Sequence, residues 1–545
     1  MNKEWLPHLK DCVPSTISGD RLSIYAIALE GWRRGLTLKF YTSKLRNKII
    51  VRYSLADKQK EIHFSYTAGE DVTSTAMKIS GSKTLTKRHL LEANVSTPIG
   101  QEFLTLATDG EIISYAHSIG FPIVVKPSNG KMGKGVNSNI TSENELRKVL
   151  NKLREESNYQ NIIVEKYISG EEYRVYVVGG RVIGAINRVP AHVVGDGSST
   201  IRELIRNKNK ERRRTPSLRG RPIRIDDEVK RNIAKEGYTL KTILKENERL
   251  FLRKNSNVSS GGEPIDVTDH LSEKVKQIAV NATMAIPGLP QCGVDIIFDK
   301  ESSSGVVIEI NTKPGIASHL YPVKGKSRDI PKAIIDYYFA EIPSKSQITN
   351  QIFFDYNKIS SLLLNGMLTE VSLPKISVLN FKVKAYKVYG KVQKVGYRNW
   401  IKKNALVLNL SGFVENKADE SVFIVVAGDI DNINKFEKNI ELNAPPHAKV
   451  IDIIESDWDN TIELGFEIIQ HDDKQKIGLE RDESIKLEEK IAGLVREREE
   501  IQEKLIKVSK QKEKIQKENQ YILHSRSWKY TKLVRKIGSL LKKKE

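Results

Sequence analysis

Two strand-like segments near residue 300 carry acid and amide side chains of the kind that bind metal ions. The segments CGVDIIFD and GVVIEINTKPG contain Asp295, Glu309 and Asn311. Glu309 and Asn311 are two residues apart, so on a strand their side chains lie on the same face. Together with Asp295 from a neighbouring strand, they form an all-oxygen ligand set suited to Mg²⁺. A solvent-facing strand also alternates in this way, but the apolar residues that flank this pair favour the metal site.

A loop rich in glycine and lysine follows an apolar strand further upstream. The segment FPIVVKPSNGKMGKG, residues 121–135, places Lys126 at the end of that strand. Glycines let backbone N–H groups turn towards phosphate oxygens, and lysines supply mobile positive charge. Taken alone, the pattern is also typical of a surface hairpin. The loop residues concerned are Gly130, Lys131, Gly133, Lys134 and Gly135.

A third segment, VEKYISGEEYR (164–174), ends a strand at Glu165 and has a further acid at Glu172. Backbone groups at such a strand end offer hydrogen bonds to an adenine ring, and a carboxylate accepts them from ribose hydroxyls. A solvated acidic loop has the same composition. The segment is therefore informative only together with the loop and the metal-binding set.

The order of these parts, from about residue 79 to 341, resembles the ATP-grasp superfamily. The resemblance is closest to the ligase domain of cyanophycin synthetase and its glutathione-synthetase-like relatives. It rests on VEKYISGEEYRVYVVGGRVIGAINRVPAHVVGDGSSTIRELI, LRKNSNVSSGGEPIDVTD and VIEINTKPGIASHLYPVKGKSRDI. It implies ATP bound between two α+β lobes, and ligation of a carboxylate to an amine through an acyl phosphate.

The resemblance also implies a role for individual residues. Those expected to contact the nucleotide are Lys83 and Lys126, the loop 130–135 closing over the phosphates, Glu165 and Tyr167 at the adenine, and Glu172 at the ribose. Those expected at the reacting groups are Asp295, Glu309 and Asn311 as magnesium ligands, Arg253 at the transferring phosphoryl group, and Arg174 and Arg188 at the acceptor carboxylate or a phosphate. The sequence departs from the family at Ser82, because relatives usually have an acid just before the lysine that corresponds to Lys83.

A second glycine-containing stretch, VYGKVQKVGYRNW (388–400), resembles the acylphosphatase signature, and LSGFVENKADESVFIVVAGD matches the second half of that family. The resemblance implies a backbone cradle for phosphate, with Arg398 binding it and Asn416 orienting an attacking water. A guanidinium forks onto phosphate oxygens, and an amide positions a neutral nucleophile. Lys394 stands where the family usually has glycine. It adds strain if its φ is positive, and otherwise changes only an exposed side chain.

The strand and helix patterns that position these residues indicate an α+β protein. It is predicted to have several domains, because 545 residues are too many for one hydrophobic core. Its parts are an N-terminal α/β lobe (1–78), an ATP-grasp fold (79–341), a linker (342–381), a ferredoxin-like βαββαβ acylphosphatase module (382–466), a coiled coil (487–522) and a basic amphipathic tail (524–545). A module that keeps the acylphosphatase fold for packing or binding alone is the alternative for 382–466.

The segment 487–522 repeats apolar residues at alternating steps of three and four, which is a heptad seam. Polar Arg498, Lys512 and Asn519 fall at a positions, a pattern that predicts a homodimeric coiled coil. A single amphipathic helix packed on its own domain is the alternative. The tail has eight Lys or Arg against one Glu. This composition suits contact with an anionic membrane surface, and equally a solvated basic extension or contact with an acidic protein partner.

The net charge of +21 is concentrated in residues 206–224 and in the tail. Charge distributed in this way favours solubility or attraction to anions, so no nucleic-acid partner is predicted. Cys12 and Cys292 lie far apart and form neither a disulfide framework nor a zinc motif, which predicts a reducing, cytoplasmic setting. The first residues, MNKEWLPHLKDCVPS, lack the apolar run expected of a signal peptide, and no stretch approaches the roughly 20 apolar residues that span a bilayer.

These patterns together predict an enzyme that uses ATP and Mg²⁺ to join a small-molecule carboxylate to an amine, with an acylphosphatase-like module that binds or hydrolyses acyl phosphate. Two alternatives remain at this point. One is an acylphosphatase regulated by a nucleotide-binding ATP-grasp domain, and the other is a non-catalytic assembly factor at the membrane. The sequence does not name the acid or the amine.

Overall fold

The structure is a computed structural model that describes residues 5–45, 48–128, 135–156, 161–299, 304–342 and 348–470, with three isolated positions beyond them. The described residues up to 468 belong to one compact unit. The predicted coiled coil (487–522) and basic tail (524–545) lie outside the described residues. Within the described part, no helix combines the length and the apolar character needed to cross a membrane. Cys12 and Cys292 are both buried, and neither forms a disulfide.

The helices and strands follow one another in three groups. The first group is α1 (Asp20–Arg33), β1 (Thr37–Leu45), β2 (Lys48–Ala56), β3 (Glu61–Ser65), β4 (Ala68–Gly69), α2 (Ser74–Ser80), α3 (Lys83–Glu92), β5 (Gly100–Phe103), α4 (Asp109–Ile119), β6 (Ile123–Pro127), β7 (Asn137–Ile140), α5 (Glu143–Glu156) and β8 (Ile162–Lys166). The second group is β9 (Glu171–Val178), β10 (Arg181–Val189), β11 (His192–Val194), α6 (Ile201–Arg214), α7 (Asp227–Lys235), β12 (Arg249–Phe251), β13 (Glu263–Asp266), α8 (Glu273–Met284), β14 (Gln291–Asp299), β15 (Ser304–Asn311), α9 (Ala317–Leu320) and α10 (Ile330–Tyr338). The third group is β16 (Ile352–Phe353), α11 (Tyr356–Leu364), β17 (Glu370–Ser372), β18 (Phe381–Lys391), α12 (Tyr397–Val407), β19 (Ser411–Asn416), β20 (Val422–Asp429), α13 (Ile430–Leu442), β21 (Lys449–Ser456), β22 (Ile462–Glu463) and β23 (Phe466–Ile469).

The N-terminal lobe is built around a sheet of order β17-β1-β2-β3-β4. Its edge strand β17 comes from the segment 342–381, which the sequence predicts to be a linker. The segment also contains α11, whose first turn is capped by the Asp355 carboxylate accepting from the Asn357 amide at 2.8 Å. The ring of Tyr356 lies 5.3 Å from that of Phe40 on β1. Where it is described, this segment is folded and completes the N-terminal sheet.

Two antiparallel sheets form the middle of the chain, and they carry the residues of interest. The smaller has the order β5-β8-β6-β7, and the larger has the order β13-β10-β9-β14-β15. Side chains alternate across each strand. On β9, Val175 and Val177 therefore pack in the hydrophobic core that also contains residues of α8, while Arg174 and Tyr176 point to the opposite face. The larger sheet thus turns one apolar face to its core and a partly polar face towards the other lobes.

The acylphosphatase-like module has a sheet of order β21-β18-β20-β19-β23. Its first four strands follow the 4-1-3-2 order of a βαββαβ ferredoxin-like fold, which confirms the predicted module. Helices α12 and α13 cover one face, where Ile424 and Val426 of β20 are buried. The intervening Val425 and Ala427 are buried in the core of the N-terminal lobe. Both faces of this sheet are therefore packed. The chain as a whole is mixed α and β, as predicted.

Candidate functional site

Four charged side chains form a row across adjacent strands of the larger sheet. Arg174 on β9 lies directly opposite Asp295 on β14, which lies opposite Glu309 on β15. On β10, Ile186 pairs with Arg174, and Arg188 lies two residues further along on the same face. Strand pairing and the two-residue period therefore bring together charges that are more than a hundred residues apart in sequence.

The Asp295 carboxylate is the centre of this row. It accepts two parallel hydrogen bonds from Arg174, both 2.7 Å long, and an ion pair of 2.9 Å from Arg188. Burial alone would raise the pKa of the Asp295 carboxyl, but the two guanidinium groups outweigh burial and hold the pKa below its ordinary value. Arg188 also donates to Glu172, which accepts a further hydrogen bond from the Ser256 hydroxyl. The cluster is therefore close to charge balance without any ligand.

A second group of charges lies on the smaller sheet and on α3. The Lys126 ammonium is 2.5 Å from one carboxylate oxygen of Glu165, and the Lys87 ammonium is 3.9 Å from the other. Burial lowers the pKa of the Lys83 ammonium; nearby Glu309 opposes that shift, and Lys126 adds to it. Burial also lowers the pKa of Lys87, against the effect of Glu165. These lysines are cations held partly out of water, where their attraction to phosphate oxygens is strong.

The serine at position 82 has a structural role that the expected acid would also fill. The Ser82 hydroxyl accepts from the Leu85 amide at 3.3 Å and caps the N-terminus of α3, of which Lys83 is the first residue. Serine and aspartate are comparably good residues at this position. The departure at Ser82 therefore keeps Lys83 at the start of the helix.

The two groups of charges face one cavity of about 1250 Å³. The predicted site residues that line it are Lys83, Lys126, Glu165, Tyr167, Glu172, Arg174, Arg188, Asp295, Glu309 and Asn311. Of the predicted phosphate loop, Gly130, Lys131, Gly133 and Lys134 lie outside the described residues. Gly135, which follows them, has a positive φ of 74°.

Among the described residues predicted for this site, Arg253 and Gly135 are not among those lining the cavity. The Arg253 guanidinium is bound by the carboxylates of Asp226 and Glu228, and the Arg253 side chain is buried. Asp226 also caps α7 by accepting from the Val229 amide at 3.1 Å. Glu228 itself lines the cavity. In this arrangement Arg253 anchors the start of α7, one side chain removed from the cavity.

The donor set fits a magnesium ion. Glu309 is exposed to the cavity, and the side chains of Glu309 and Asn311 make no hydrogen bond or ion pair with another described residue. Carboxylate and amide oxygens are the ligands that Mg²⁺ prefers, completed by water and substrate phosphates. Asp295 differs from these two because both of its oxygens already bind arginine. Two of the three predicted ligands are thus open, and the third is engaged.

Two residues that contact the predicted site residues were not anticipated from the sequence: Lys87, beside the cavity, and Ser256, which lines it. Lys87 lies one helical turn after Lys83 on α3, and besides Glu165 it donates to the Gly100 carbonyl at 2.9 Å. The spacing of four residues between two lysines was the available signal, since it places both on one helix face. Ser256 holds Glu172 from a loop, and nothing local in the sequence marks that contact.

The second predicted site is the loop between β18 and α12. Gly390 has a φ of 128°, and a Cβ atom there would come within 2.1 Å of the Lys449 carbonyl oxygen. Gly396 has a φ of 76° and stands immediately before α12. Lys394, between them, has a φ of 61°. Of the two cases considered for this position, the structure has the one in which lysine occupies a conformation that favours glycine.

Arg398 and Asn416 are both available at this loop. Arg398 is in the first turn of α12, and its side chain makes no hydrogen bond or ion pair with another described residue. The side-chain oxygen of Asn416 is buried without a hydrogen-bond partner among the described residues. Gln393 ties the loop to the β19–β20 turn by donating to the carbonyls of Lys417 and Ser421, at 2.9 and 2.8 Å. A free guanidinium, a helix N-terminus and an unsatisfied amide oxygen together suit a phosphate ion and a water.

Comparison with known proteins matches each region to a family. The family model "RimK-like ATP-grasp domain" matches residues 82–196, and the model "Acylphosphatase" matches residues 384–468. The glutathione biosynthesis bifunctional protein GshAB of Clostridium perfringens is 30% identical over 355 residues, which cover 62% of this chain and 44% of the relative. The cyanophycin synthetase of Crocosphaera subtropica is 33% identical over 282 residues, which cover 50% of this chain and 32% of the relative.

One solved structure, the bifunctional glutathione synthetase from Pasteurella multocida, covers 55% of this chain and 42% of its own chain, with 27% identity and a TM-score of 0.42. The chain spans less than half the length of the curated relatives it matches. The residues matched by the RimK-like model, 82–196, include all four strands of the smaller sheet and strands β9 and β10 of the larger one. The chain therefore contains a RimK-like ATP-grasp domain and an acylphosphatase domain.

Proposed function

We propose that this protein is an ATP- and Mg²⁺-dependent ligase that joins a small-molecule carboxylate to an amine through an acyl phosphate. The observation that carries the proposal is the row Arg188, Arg174, Asp295 and Glu309, which faces Lys83 and Lys126 across one cavity. ATP-grasp ligases use ATP and Mg²⁺, and the matched relatives are named as synthetases or biosynthesis proteins. Lysines on one sheet and open oxygen ligands on the other are the groups that phosphoryl transfer requires.

The reaction has two steps. A carboxylate oxygen of the acid attacks the γ-phosphorus of ATP, the bond to the leaving oxygen breaks, and acyl phosphate and ADP form. The amine then attacks the acyl carbon, the bond to the phosphate oxygen breaks, and the amide, inorganic phosphate and one proton are released. In the first step the chain supplies mainly position and charge, since phosphoryl transfer needs little else.

Each charged side chain has a part in these steps. Lys83 and Lys126 bind phosphate oxygens of the nucleotide. Arg174 and Arg188 are the cations beside the carboxylate row, and they orient the acceptor carboxylate or a phosphate. Magnesium, held by Glu309, Asn311 and Asp295, would neutralise charge on the phosphate oxygens when bound. The half-buried setting strengthens every one of these attractions relative to water.

The acylphosphatase domain binds acyl phosphate and hydrolyses it. Arg398 and the backbone of the loop bind the phosphate, and Asn416 orients a water that attacks phosphorus. The bond between phosphorus and the acyl oxygen breaks, which gives a carboxylate, inorganic phosphate and one proton. The unpartnered Arg398 and the buried, unsatisfied oxygen of Asn416 support this role. Hydrolysis of the ligase intermediate would end a turnover in which no amine arrives.

The decisive experiment measures ADP release by the full chain across a panel of amino acids and sugar acids, each with and without an amine. ADP formation that requires one acid and one amine is the expected result, and Glu309→Ala should abolish it. Absence of ADP under every condition would contradict the ligase proposal. Hydrolysis of benzoyl phosphate, measured in parallel on wild type and Arg398→Ala, tests the second domain independently. An unchanged rate in Arg398→Ala would contradict that part.

The roles of the two C-terminal segments are proposed from the sequence alone. We assign dimerisation to the heptad seam 487–522, and contact with anionic lipid to the tail 524–545, of an enzyme that acts in the cytoplasm. Light scattering of the full chain and of a chain ending at residue 486 should give a dimer and a monomer. Co-sedimentation with anionic liposomes should be lost in a chain ending at residue 523. A monomeric full chain, or equal co-sedimentation, would refute the corresponding assignment.

A further inference from the structure

The cradle of the acylphosphatase domain contains a residue that the mechanism above does not use. Lys394 adopts a φ of 61°, in the left-handed region that side chains other than glycine rarely occupy. Its side chain is exposed and makes no hydrogen bond or ion pair with another described residue. No contact within the described part of the chain therefore offsets the unfavourable backbone. Strain of this kind is concentrated at sites where it serves a ligand.

The neighbours of Lys394 prevent the backbone from relaxing. The preceding Gln393 is held through both of its bonds to the carbonyls of Lys417 and Ser421. On the other side, the backbone at Gly390 packs so closely against the Lys449 carbonyl that only glycine, which has no Cβ atom, fits there. The lysine is therefore fixed on the rim of the cradle, four residues before Arg398, whatever its side chain does.

The charges around the rim leave Lys394 available to an anion. Of the three acids in the adjoining β19–β20 turn region, Glu415 pairs with Lys417 at 2.9 Å and Asp419 pairs with Lys387 at 2.7 Å. Glu420 is exposed and forms no ion pair with Lys394 or any other described residue. Arg398, like Lys394, has no carboxylate partner among the described residues. The cradle segment 390–398 therefore carries Lys394, and also Lys391, as cations without a carboxylate partner in addition to Arg398. A guanidinium with backbone N–H groups already provides the donors that a phosphate needs.

We propose that Lys394 is a specificity-determining residue, which selects acyl phosphates whose acyl part carries a second anionic group, such as a carboxylate. This inference rests on the proposed hydrolysis at Arg398 and Asn416. The phosphate binds at Arg398, and the second anion of the same substrate meets the Lys394 ammonium at the rim. The substrate class is thus the acyl phosphate of a dicarboxylic acid rather than of a simple monocarboxylic acid.

The test compares hydrolysis of succinyl phosphate with hydrolysis of benzoyl phosphate, which lacks the second charge. Wild type, Lys394→Gln and Lys438→Gln are measured at low salt; the last variant removes the same charge from an exposed position on α13. Lys394→Gln should raise KM for succinyl phosphate about threefold, with kcat and the benzoyl phosphate constants unchanged. Lys438→Gln should leave both substrates unaffected, and the difference should disappear at high salt.

The outcomes separate the two proposals. Failure of wild type to hydrolyse either substrate would contradict the proposed function and this inference together. Hydrolysis of both substrates with equal constants in wild type and Lys394→Gln would overturn the inference alone. An equal rise in KM for both substrates would also overturn it, because the lysine would then serve the shared phosphate and not the second anion.

Discussion

The ATP-grasp cavity and the acylphosphatase cradle both contain arginines beside glycine-containing loops, but they differ in what the arginines contact. Arg174, Arg188 and Arg253 each bind at least one carboxylate of the chain. Arg398 binds none among the described residues. The first region is therefore close to neutral before a substrate arrives, whereas the second has uncompensated positive charge. An anionic nucleotide enters the first most readily together with a cation, while a phosphate suits the second directly. Arginines in similar motifs are thus not equivalent.

The largest effect that this comparison predicts is on stability. Asp295→Ala leaves the Arg174 guanidinium without its carboxylate and removes one of the two carboxylates of Arg188. We expect a loss of about 3–5 kcal/mol in the free energy of unfolding. Arg398→Ala removes no partner and should change it by less than about 0.5 kcal/mol. Urea denaturation of both variants measures the difference. Similar losses in the two variants would show that the contrast between the regions is wrong.

The next effect is a separation of activities. Glu309→Gln should lower ADP formation at least about 100-fold, because it removes a charged oxygen ligand, and leave hydrolysis of benzoyl phosphate unchanged. Arg398→Ala should do the reverse, with a comparable loss of hydrolysis. Steady-state rates of both reactions on each variant provide the measurement, and each variant is the control for the other. Loss of both activities in either variant would mean that the sites do not work independently.

A smaller effect is the pH dependence of stability that arises from a histidine buried near the arginines of the first region. His319 is buried, and neither ring nitrogen has a hydrogen-bond partner among the described residues. Burial lowers the pKa of His319 from 6.5 to about 3, and Arg174 adds to the shift. Between those values the unfolded chain binds more protons than the folded one, so the free energy of unfolding falls as the pH falls.

The limiting slope of this effect is about 1.4 kcal/mol per pH unit. Glutamine does not titrate in this range. In His319→Gln, the slope of the free energy of unfolding against pH, between pH 6.5 and 4, should therefore be smaller by up to that amount. Urea denaturation of wild type and variant at several pH values gives both slopes. Parallel curves would show that His319 is not held neutral by its surroundings.

The smallest effect tests the strained backbone of the cradle. Lys394→Gly removes a side chain from a position with positive φ, and the relief outweighs the entropic cost of glycine, so we expect a gain of about 0.5 kcal/mol. Lys438→Gly, in the interior of α13, should instead lose about 1 kcal/mol. Thermal unfolding of the two variants distinguishes them by sign. An equal loss at both positions would contradict the strain.

Much of the arrangement of the first region followed from local pattern. The two-residue spacing of Glu309 and Asn311 predicted that they share a face, and the pairing of β14 with β15 places Asp295 beside them. The sequence could not show that the Arg174 guanidinium binds the Asp295 carboxylate. That contact depends on the register between β9 and β14, whose paired residues are more than a hundred positions apart in sequence. Arg253 illustrates the same limit, since Asp226 and Glu228 reach it only through the tertiary fold.

The second region shows where local pattern stops for a different reason. The sequence placed Gly390, Gly396, Arg398 and Asn416 in one loop and its neighbouring turn, and the predicted βαββαβ order was correct. For Lys394 it left two cases open, because residue type does not fix φ. The segment 342–381 was interpreted as a linker because its Ser- and Asn-rich composition masks α11 and β17, which are stabilised by packing on the N-terminal sheet.

The doubly packed sheet of the acylphosphatase domain has a consequence for how the two domains can be separated. Phe413 and Phe423 lie against Trp458, and the Trp458 carbonyl accepts from Gln351 at 2.7 Å beside the N-terminal lobe. If the domain were excised, this aromatic face would be exposed to water. The sheet would also lose the apolar contacts that Val425 and Ala427 make in the core of the N-terminal lobe. The acylphosphatase domain is thus a structural support for the N-terminal lobe, whatever reaction it carries out.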